Sequence, residues 1–238
     1  MKITIAVNHL YLKKGHTDIL DNVSFTVPSG VVCAFIGHNG AGKTTTIKSI
    51  LNLRPYNSGT VKINGIDSKN IKSRESVGYI PEKAIAVNMN TKVFIKEMAQ
   101  YHKWTHEKVN KFITMICEKF DFPQNRLSTP LKRLSSGQSK IITIAQAFIG
   151  HPLIIIADEP TDNLDPDARD LFWNFVKYIR QHNRQITFFI STHQLDEIEN
   201  YANYIVAIRN GQIKFSGKFV ATKQGSLREK YHSFKTQD

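Results

Sequence analysis

The sequence predicts an α/β fold built around a parallel sheet. Three stretches carry that expectation: residues 31–36 (VVCAFI), 152–157 (PLIIIA) and 186–190 (ITFFI) are short, continuous apolar runs, the texture of strands buried on both faces. The first feeds directly into a glycine-rich turn. Between the other two a helix opens at Pro166 behind Asp165 as its cap, so strand, helix and strand alternate as a parallel sheet requires.

The remaining elements follow in chain order. Residues 3–8 have a β-rich composition. From 93 to 120 the pattern turns helical, with Val109, Phe112, Ile113, Ile116 and Phe120 recurring at three- and four-residue steps and Thr105 placed as an N-cap. This middle section reads as a helical lobe of its own. Near the end, residues 204–209 and 212–215 flank Asn210-Gly211, a strong hairpin signal. The last twenty or so residues are polar and are expected to be loosely structured. No internal repeat and no low-complexity segment interrupts the chain, which disfavours a solenoid or a tandem arrangement.

Composition narrows the class. A chain of 238 residues, 41% apolar and 22% charged, suits an ordinary globular domain with a sizeable core. Cys33 and Cys117 lie far apart and form no CxxC pair, so both read as small core hydrophobes of a reducing compartment. No apolar run approaches the roughly 18 to 20 residues of a membrane helix, and the first ten residues lack a signal-peptide core; the chain is expected neither to span nor to cross a membrane. With 32 basic against 20 acidic residues the formal charge is +12, which favours an anionic neighbour: nucleotide, nucleic acid or an inner membrane leaflet. The lysines are scattered, and the densest stretch (Lys103, Lys108, Lys111, Lys119) alternates with apolar residues as on a solvated helix face.

Gly37-His38-Asn39-Gly40-Ala41-Gly42-Lys43-Thr44 fits the phosphate-loop pattern, and it stands where that pattern must, after an apolar strand and before a helix. Glycines let backbone N–H groups curl around phosphate oxygens, and the following helix turns its positive end to the same anion. Lys43 is expected to reach the β- and γ-phosphates, and Thr44 to offer its hydroxyl to Mg²⁺. The strand at 152–157 runs into Asp158 and Glu159, which belong at the carboxyl edge of a parallel sheet. Asp158 is assigned to Mg²⁺ through its water shell, and Glu159 to orienting and deprotonating the water that attacks the γ-phosphate. The spacing from Lys43, 158 minus 43 or 115 residues, makes the acidic pair more than a strand cap.

Between the two sites Leu134-Ser135-Ser136-Gly137-Gln138 resembles the LSGGQ signature of ABC ATPases. Thr161-Asp162-Asn163-Leu164-Asp165-Pro166 is similar to that family's D-loop, and Ser191-Thr192-His193 to its switch histidine. The five motifs fall in the family's order and the resemblance covers residues 2–217. It implies a P-loop NTPase of the ABC ATPase type: a RecA-like core with a parallel sheet, an N-terminal antiparallel β lobe and an inserted α-helical lobe. The divisions expected are core and β lobe at about 1–82 and 151–217, helical lobe at about 83–150 and a polar tail at 218–238, all within one nucleotide-binding domain. ATP contacts are implied for Gly37 through Thr44 and for Thr45. The resemblance also implies that Ser135, Gly137 and Gln138, ahead of a helix expected at 140–149, face the γ-phosphate held by an opposite subunit. Two ATP molecules would thus lie between head-to-tail protomers, with His193 holding Glu159 and the water in place.

Three departures qualify the resemblance, the first being Ser136 in place of the first signature glycine, a small residue with which activity is expected to survive. At the Q-loop, Val77-Gly78-Tyr79-Ile80-Pro81-Glu82 puts Glu82 where a glutamine is usual, in contact with Mg²⁺ and the lytic water; an acid can still ligate magnesium. That form looks like the branch serving exporters of drugs, polysaccharides and peptides, which favours export. The adenine-stacking position of the family holds Lys14, leaving Tyr11, three residues earlier, either to stack on the base or to pack in the β lobe. Expected partners are separately encoded membrane-spanning subunits and a second copy or a paralogous ATPase, at the cytoplasmic face of the cell membrane, with no nucleic acid. A nucleic-acid or ribosome ATPase of the same superfamily is the alternative, disfavoured because 135 minus 43, about 90 residues, leaves no room for a long coiled-coil insert. A sensing module that does not turn ATP over would lack a base at Glu159.

Overall fold

The computed structural model describes residues 2–162, 164–220 and 226–233. Two sheets organise it. The first is antiparallel, ordered β2-β1-β4-β5, from β1 (Ile3–Lys14), β2 (Thr17–Pro28), β4 (Ser58–Ile63) and β5 (Ile66–Asp67). The second has six strands in the order β10-β9-β3-β8-β7-β6, from β3 (Val32–Ile36), β6 (Val77–Ile80), β7 (Ile154–Asp158), β8 (Thr187–Thr192), β9 (Tyr204–Arg209) and β10 (Gln212–Lys218). Its neighbours pair in parallel except β9 with β10, whose hairpin turns through Asn210 and Gly211 at φ 47° and 76°. Each of the three apolar runs read from the sequence is a central strand of this sheet.

Strand periodicity divides the core into two layers, because successive side chains point to opposite faces. On one face Ala34, Ile36, Ile155, Ala157, Phe188, Ile190, Ile205 and Ala207 pack with the helices α2 (Thr91–Tyr101), α3 (His106–Lys119), α4 (Ser136–Gln146) and α5 (Pro166–His182). On the other, Cys33, Phe35, Ile154, Ile156, Phe189 and Val206 pack against the β lobe and α1 (Lys43–Ile50). Phe35 and Phe189 stack at 5.0 Å, and Phe25 of β2 lies 5.8 Å from Phe189, so the β lobe is joined to the parallel sheet by aromatic contact. Gly78 of β6 lets α4 abut the sheet: a Cβ there would fall 1.9 Å from the Ala147 carbonyl oxygen.

The capping residues behave as their chemistry dictates. Thr105 Oγ1 accepts from Lys108 N at 3.3 Å and starts α3; Asp165 Oδ1 accepts from Ala168 N at 2.8 Å and starts α5, with Pro166 at its first position. Three expectations are corrected. The helix expected at 140–149 opens at Ser136, because Ser135 and Gln138 close a capping box, and ends at Gln146. The first strand runs to Lys14, past an irregular register at residues 7–10 where His9 takes φ 47°. The tail expected to be loose carries α6 (Leu227–Ser233), anchored by fully buried Leu227 against the helical face of the core. Among the described residues, no helix is long and apolar enough to cross a membrane.

Candidate functional site

Parallel pairing brings four loops to one edge. Ile36 lies opposite Thr192, Ser191 opposite Asp158, and Ala157 opposite Ile80. The residues that follow these strand ends, Gly37, His193, Glu159 and Glu82, therefore emerge side by side, at the carboxyl edge where such sheets collect ligands. A cleft of about 420 Å³ opens there, lined by His38, Asn39, Gly40, Gly42, Lys43, Thr44, Thr45, Glu82, Glu159, Asp162 and Ile19.

The glycine-rich loop adopts a conformation that side chains resist. Gly42 sits at φ 109°, and a Cβ on it would lie 2.9 Å from the Leu20 side chain. This places the amide ends of α1 at the cleft. Lys43 is buried and folds back over the loop: its Nζ donates to the Gly37 carbonyl at 2.7 Å and the His38 carbonyl at 3.3 Å. The same Nζ stands 3.2 Å from Glu159 Oε1. Glu159 Oε2 in turn meets His193 Nδ1 at 3.1 Å, and the other ring nitrogen of His193 is 3.9 Å from Asp162 Oδ1. Lysine and glutamate on the cleft wall and the histidine beyond them thus form a continuous polar chain.

Behind that wall is a hydroxyl-lined acid. Asp158, with no exposed surface, accepts from Ser191 Oγ at 2.7 Å and from Thr44 Oγ1 at 3.1 Å, both through Oδ1. Its Oδ2 has no hydrogen-bond partner among the described residues. A buried carboxylate oxygen left without a donor, beside a threonine hydroxyl and with Glu82 on the same cleft, is a donor set suited to a hard divalent cation such as Mg²⁺. The negative field is felt nearby. Tyr79 is pushed up to about 12, first by burial and then by Asp158 and Glu82.

The structure does not bring every expected residue into this cleft. Ser135, Gly137 and Gln138 stand apart from it on α4, where Ser135 Oγ accepts from Gln138 N at 3.2 Å and Ser135 itself is exposed. Gly137 lies inside the first helical turn, not ahead of it. Tyr11 is absent from the lining; its hydroxyl donates to Asp18 Oδ1 at 2.6 Å across the β1–β2 hairpin, and that bond, before burial and the charges of Asp18 and Asp21, raises its pKa. Ile19 occupies the cleft's edge from the same hairpin. Asn163 of the D-loop-like segment lies outside the described residues. Three contributors have no role assigned by the sequence. Ser191 and Asp162 lie inside motifs whose neighbouring residues carry the assignments, and Ile19 carries no sequence signal.

Comparison with known proteins follows the same lines. A family model described as ABC transporter matches residues 20–162. An ABC transporter ATP-binding protein of Mycoplasma pneumoniae is 34% identical over 218 residues, covering 90% of this chain and 66% of that protein. A Nod factor export ATP-binding protein I of Burkholderia lata is 29% identical over 201 residues, covering 82% of this chain and 64% of that protein. The chain therefore spans somewhat less than two thirds of the length of these two relatives. Among solved structures, the ATP binding subunit of an ABC transporter superposes with a TM-score of 0.87 at 27% identity, covering 98% of this chain and 99% of the other. A dimeric ATP-binding cassette in a post-hydrolysis state, bound to ADP and phosphate, superposes at 0.78 with 19% identity over 90% of this chain and 98% of the other, a likeness of fold.

Proposed function

The chain belongs to the ABC transporter family, and from that premise we propose that it is an ATP-binding and ATP-hydrolysing subunit that works in a head-to-tail pair. The observation that carries the proposal is the polar chain from Lys43 through Glu159 to His193, which starts on the wall of a cleft floored by the amide ends of α1. The backbone amides of Gly40 to Thr45 bind the phosphates, and the Lys43 ammonium leaves Glu159 for the terminal phosphate oxygens. Glu159, released from Lys43, orients a water and takes its proton at Oε. His193 holds the second Glu159 oxygen and so fixes the carboxylate plane. Thr44 and Asp158, with Glu82 nearby, would hold Mg²⁺, which would supply charge neutralisation on the phosphate oxygens.

Ser135, Gly137 and Gln138 act on the partner's nucleotide. The exposure of Ser135 and the position of all three at the start of α4, outside their own cleft, support that reading, since the first-turn amides of Ser136 and Gly137, unlike those of Ser135 and Gln138, are not taken up by the capping box. One chain then supplies loop and base, and its mate supplies the tip. We assign the work to export of a solute through separate membrane-spanning chains at the cytoplasmic face of the membrane, supported by the export named for the Burkholderia relative and by Glu82 at the Q-loop position. The partner is a second copy or a paralogous ATPase.

ATP turnover by the wild type and by Glu159→Gln tests the proposal. Loss of a general base is expected to lower kcat by about 100-fold or more. The variant is also expected to accumulate as pairs with MgATP, measured by size-exclusion chromatography. Equal rates for the two proteins would overturn the hydrolytic assignment.

A further inference from the structure

Lys140 lies on the second turn of α4, just past the Ser135 tip, and is only 3% exposed. A buried ammonium is tolerable only where each of its three N–H bonds finds an acceptor. Here all three do. Nζ donates to the carbonyl oxygens of Pro81 at 3.2 Å, Glu82 at 2.8 Å and Glu159 at 3.3 Å. Two of these carbonyls belong to the residues that line the cleft with carboxylates, and the third immediately precedes Glu82.

The Glu159 backbone gives the contact its meaning. Its φ of 45° lies in the left-handed region, where a non-glycine residue is held only if its surroundings fix both sides of it. On the amide side, Glu159 N donates to Ser191 Oγ at 3.0 Å. On the carbonyl side stands Lys140. Burial pulls the lysine's pKa down, and the charges of Asp162, Asp158, Glu82 and Glu159 oppose that pull.

We propose that Lys140 is a positioning residue for ATP hydrolysis, tying the helix that carries the Ser135 tip to the backbones of Glu82 and Glu159. Its consequence is mechanical: in a head-to-tail pair the tip reads the partner's nucleotide, and the same helix, through Lys140, sets the carboxylate that acts on the chain's own. The inference rests on the hydrolytic reading above. It adds that one buried side chain joins the two clefts.

The test compares the full-length wild type with Lys140→Met, which keeps the length and removes the donors, and Lys140→Gln, which restores donors without the charge. Steady-state ATPase is measured per folded molecule, counted by tight nucleotide binding. Lys140→Met is expected to lose at least tenfold in kcat with KM for MgATP within threefold of wild type, and Lys140→Gln to regain at least threefold over Met. A residue that merely supported the fold would change the folded fraction and leave kcat per folded molecule intact. A drop smaller than tenfold, or an equal weakening of KM, overturns the proposal. If Lys140→Met does not fold, Lys140→Gln is held to the same kcat-against-KM split, with a threefold loss as its threshold. A wild type without ATPase is a different result, and removes the hydrolytic reading together with this one.

Discussion

Ser191→Ala tests how the two acids of the site are held. The hydroxyl has no exposed surface and makes two bonds that alanine cannot: it donates to Asp158 Oδ1 at 2.7 Å and accepts from Glu159 N at 3.0 Å. The first is charge-assisted and worth about 1.5–3 kcal/mol; the second is an ordinary amide bond worth about 0.5–1.5 kcal/mol. Glu159 N keeps a fallback in the Ser191 carbonyl at 3.2 Å, so the second loss falls at the low end. The sum is about 2–3.5 kcal/mol, which at about 2–4 °C per kcal/mol for a chain of this size lowers Tm by about 4–14 °C. Urea unfolding, read from the midpoint at unchanged slope, gives the same quantity independently. The Glu159 carboxylate also loses its fixed peptide, so ATPase per folded molecule is expected to fall about tenfold. A variant within 0.5 kcal/mol of the wild type by the ordinary scatter of surface substitutions, and with full activity, would falsify the view that Ser191 anchors both acids.

The cleft edge and the thiols offer two further checks. Ile19→Ala removes apolar surface from the lining and is expected to weaken ATP binding about fivefold, whereas Tyr11→Ala, outside the lining, leaves it within twofold; fluorescence titration with a labelled ATP analogue separates them. If Tyr11→Ala is the weaker binder, adenine sits on the β-lobe aromatic after all. Burial holds the Cys33 thiol well above its ordinary pKa, and the partly buried Cys117 thiol is raised less, by burial and then by Glu118. At pH 8 iodoacetamide should therefore modify Cys117 slowly and Cys33 only after unfolding in urea, as read by peptide mass spectrometry. Equal labelling of both in the folded protein would contradict the packing of β3.

The central sheet and the loops at its edge were legible because both signals are local. A strand buried on two faces is a run of apolar residues, and a phosphate loop or acidic pair directly follows its end. The β lobe was not legible in the same way. Irregular register at residues 7–10, with His9 and Asn22 in left-handed conformations, breaks the period-two alternation that would have marked β1 and β2 as long strands. The start of α4 is hidden in the sequence because Ser135 and Gln138 read as ligand groups, while their spacing is also that of a capping box. Lys140 reads from sequence as one more surface lysine. Only the meeting of α4 with two loops from distant parts of the chain takes it out of water. Ile19 and Tyr11 differ by which side of a hairpin faces the cleft, a property of tertiary placement that spacing alone does not encode.

The left-handed backbone of Glu159 has an evolutionary corollary. An L-residue in that conformation forgoes about 1–2 kcal/mol that glycine would recover, yet glycine would also delete the carboxylate that stands 3.2 Å from buried Lys43 and leave that ammonium without its counter-charge, at a cost of about 3–5 kcal/mol. Peptide and side chain thus pull in opposite directions on a single residue. A lineage released from the need to burn nucleotide gains nothing by exchanging this residue alone, because relief of the peptide comes with an orphaned buried cation.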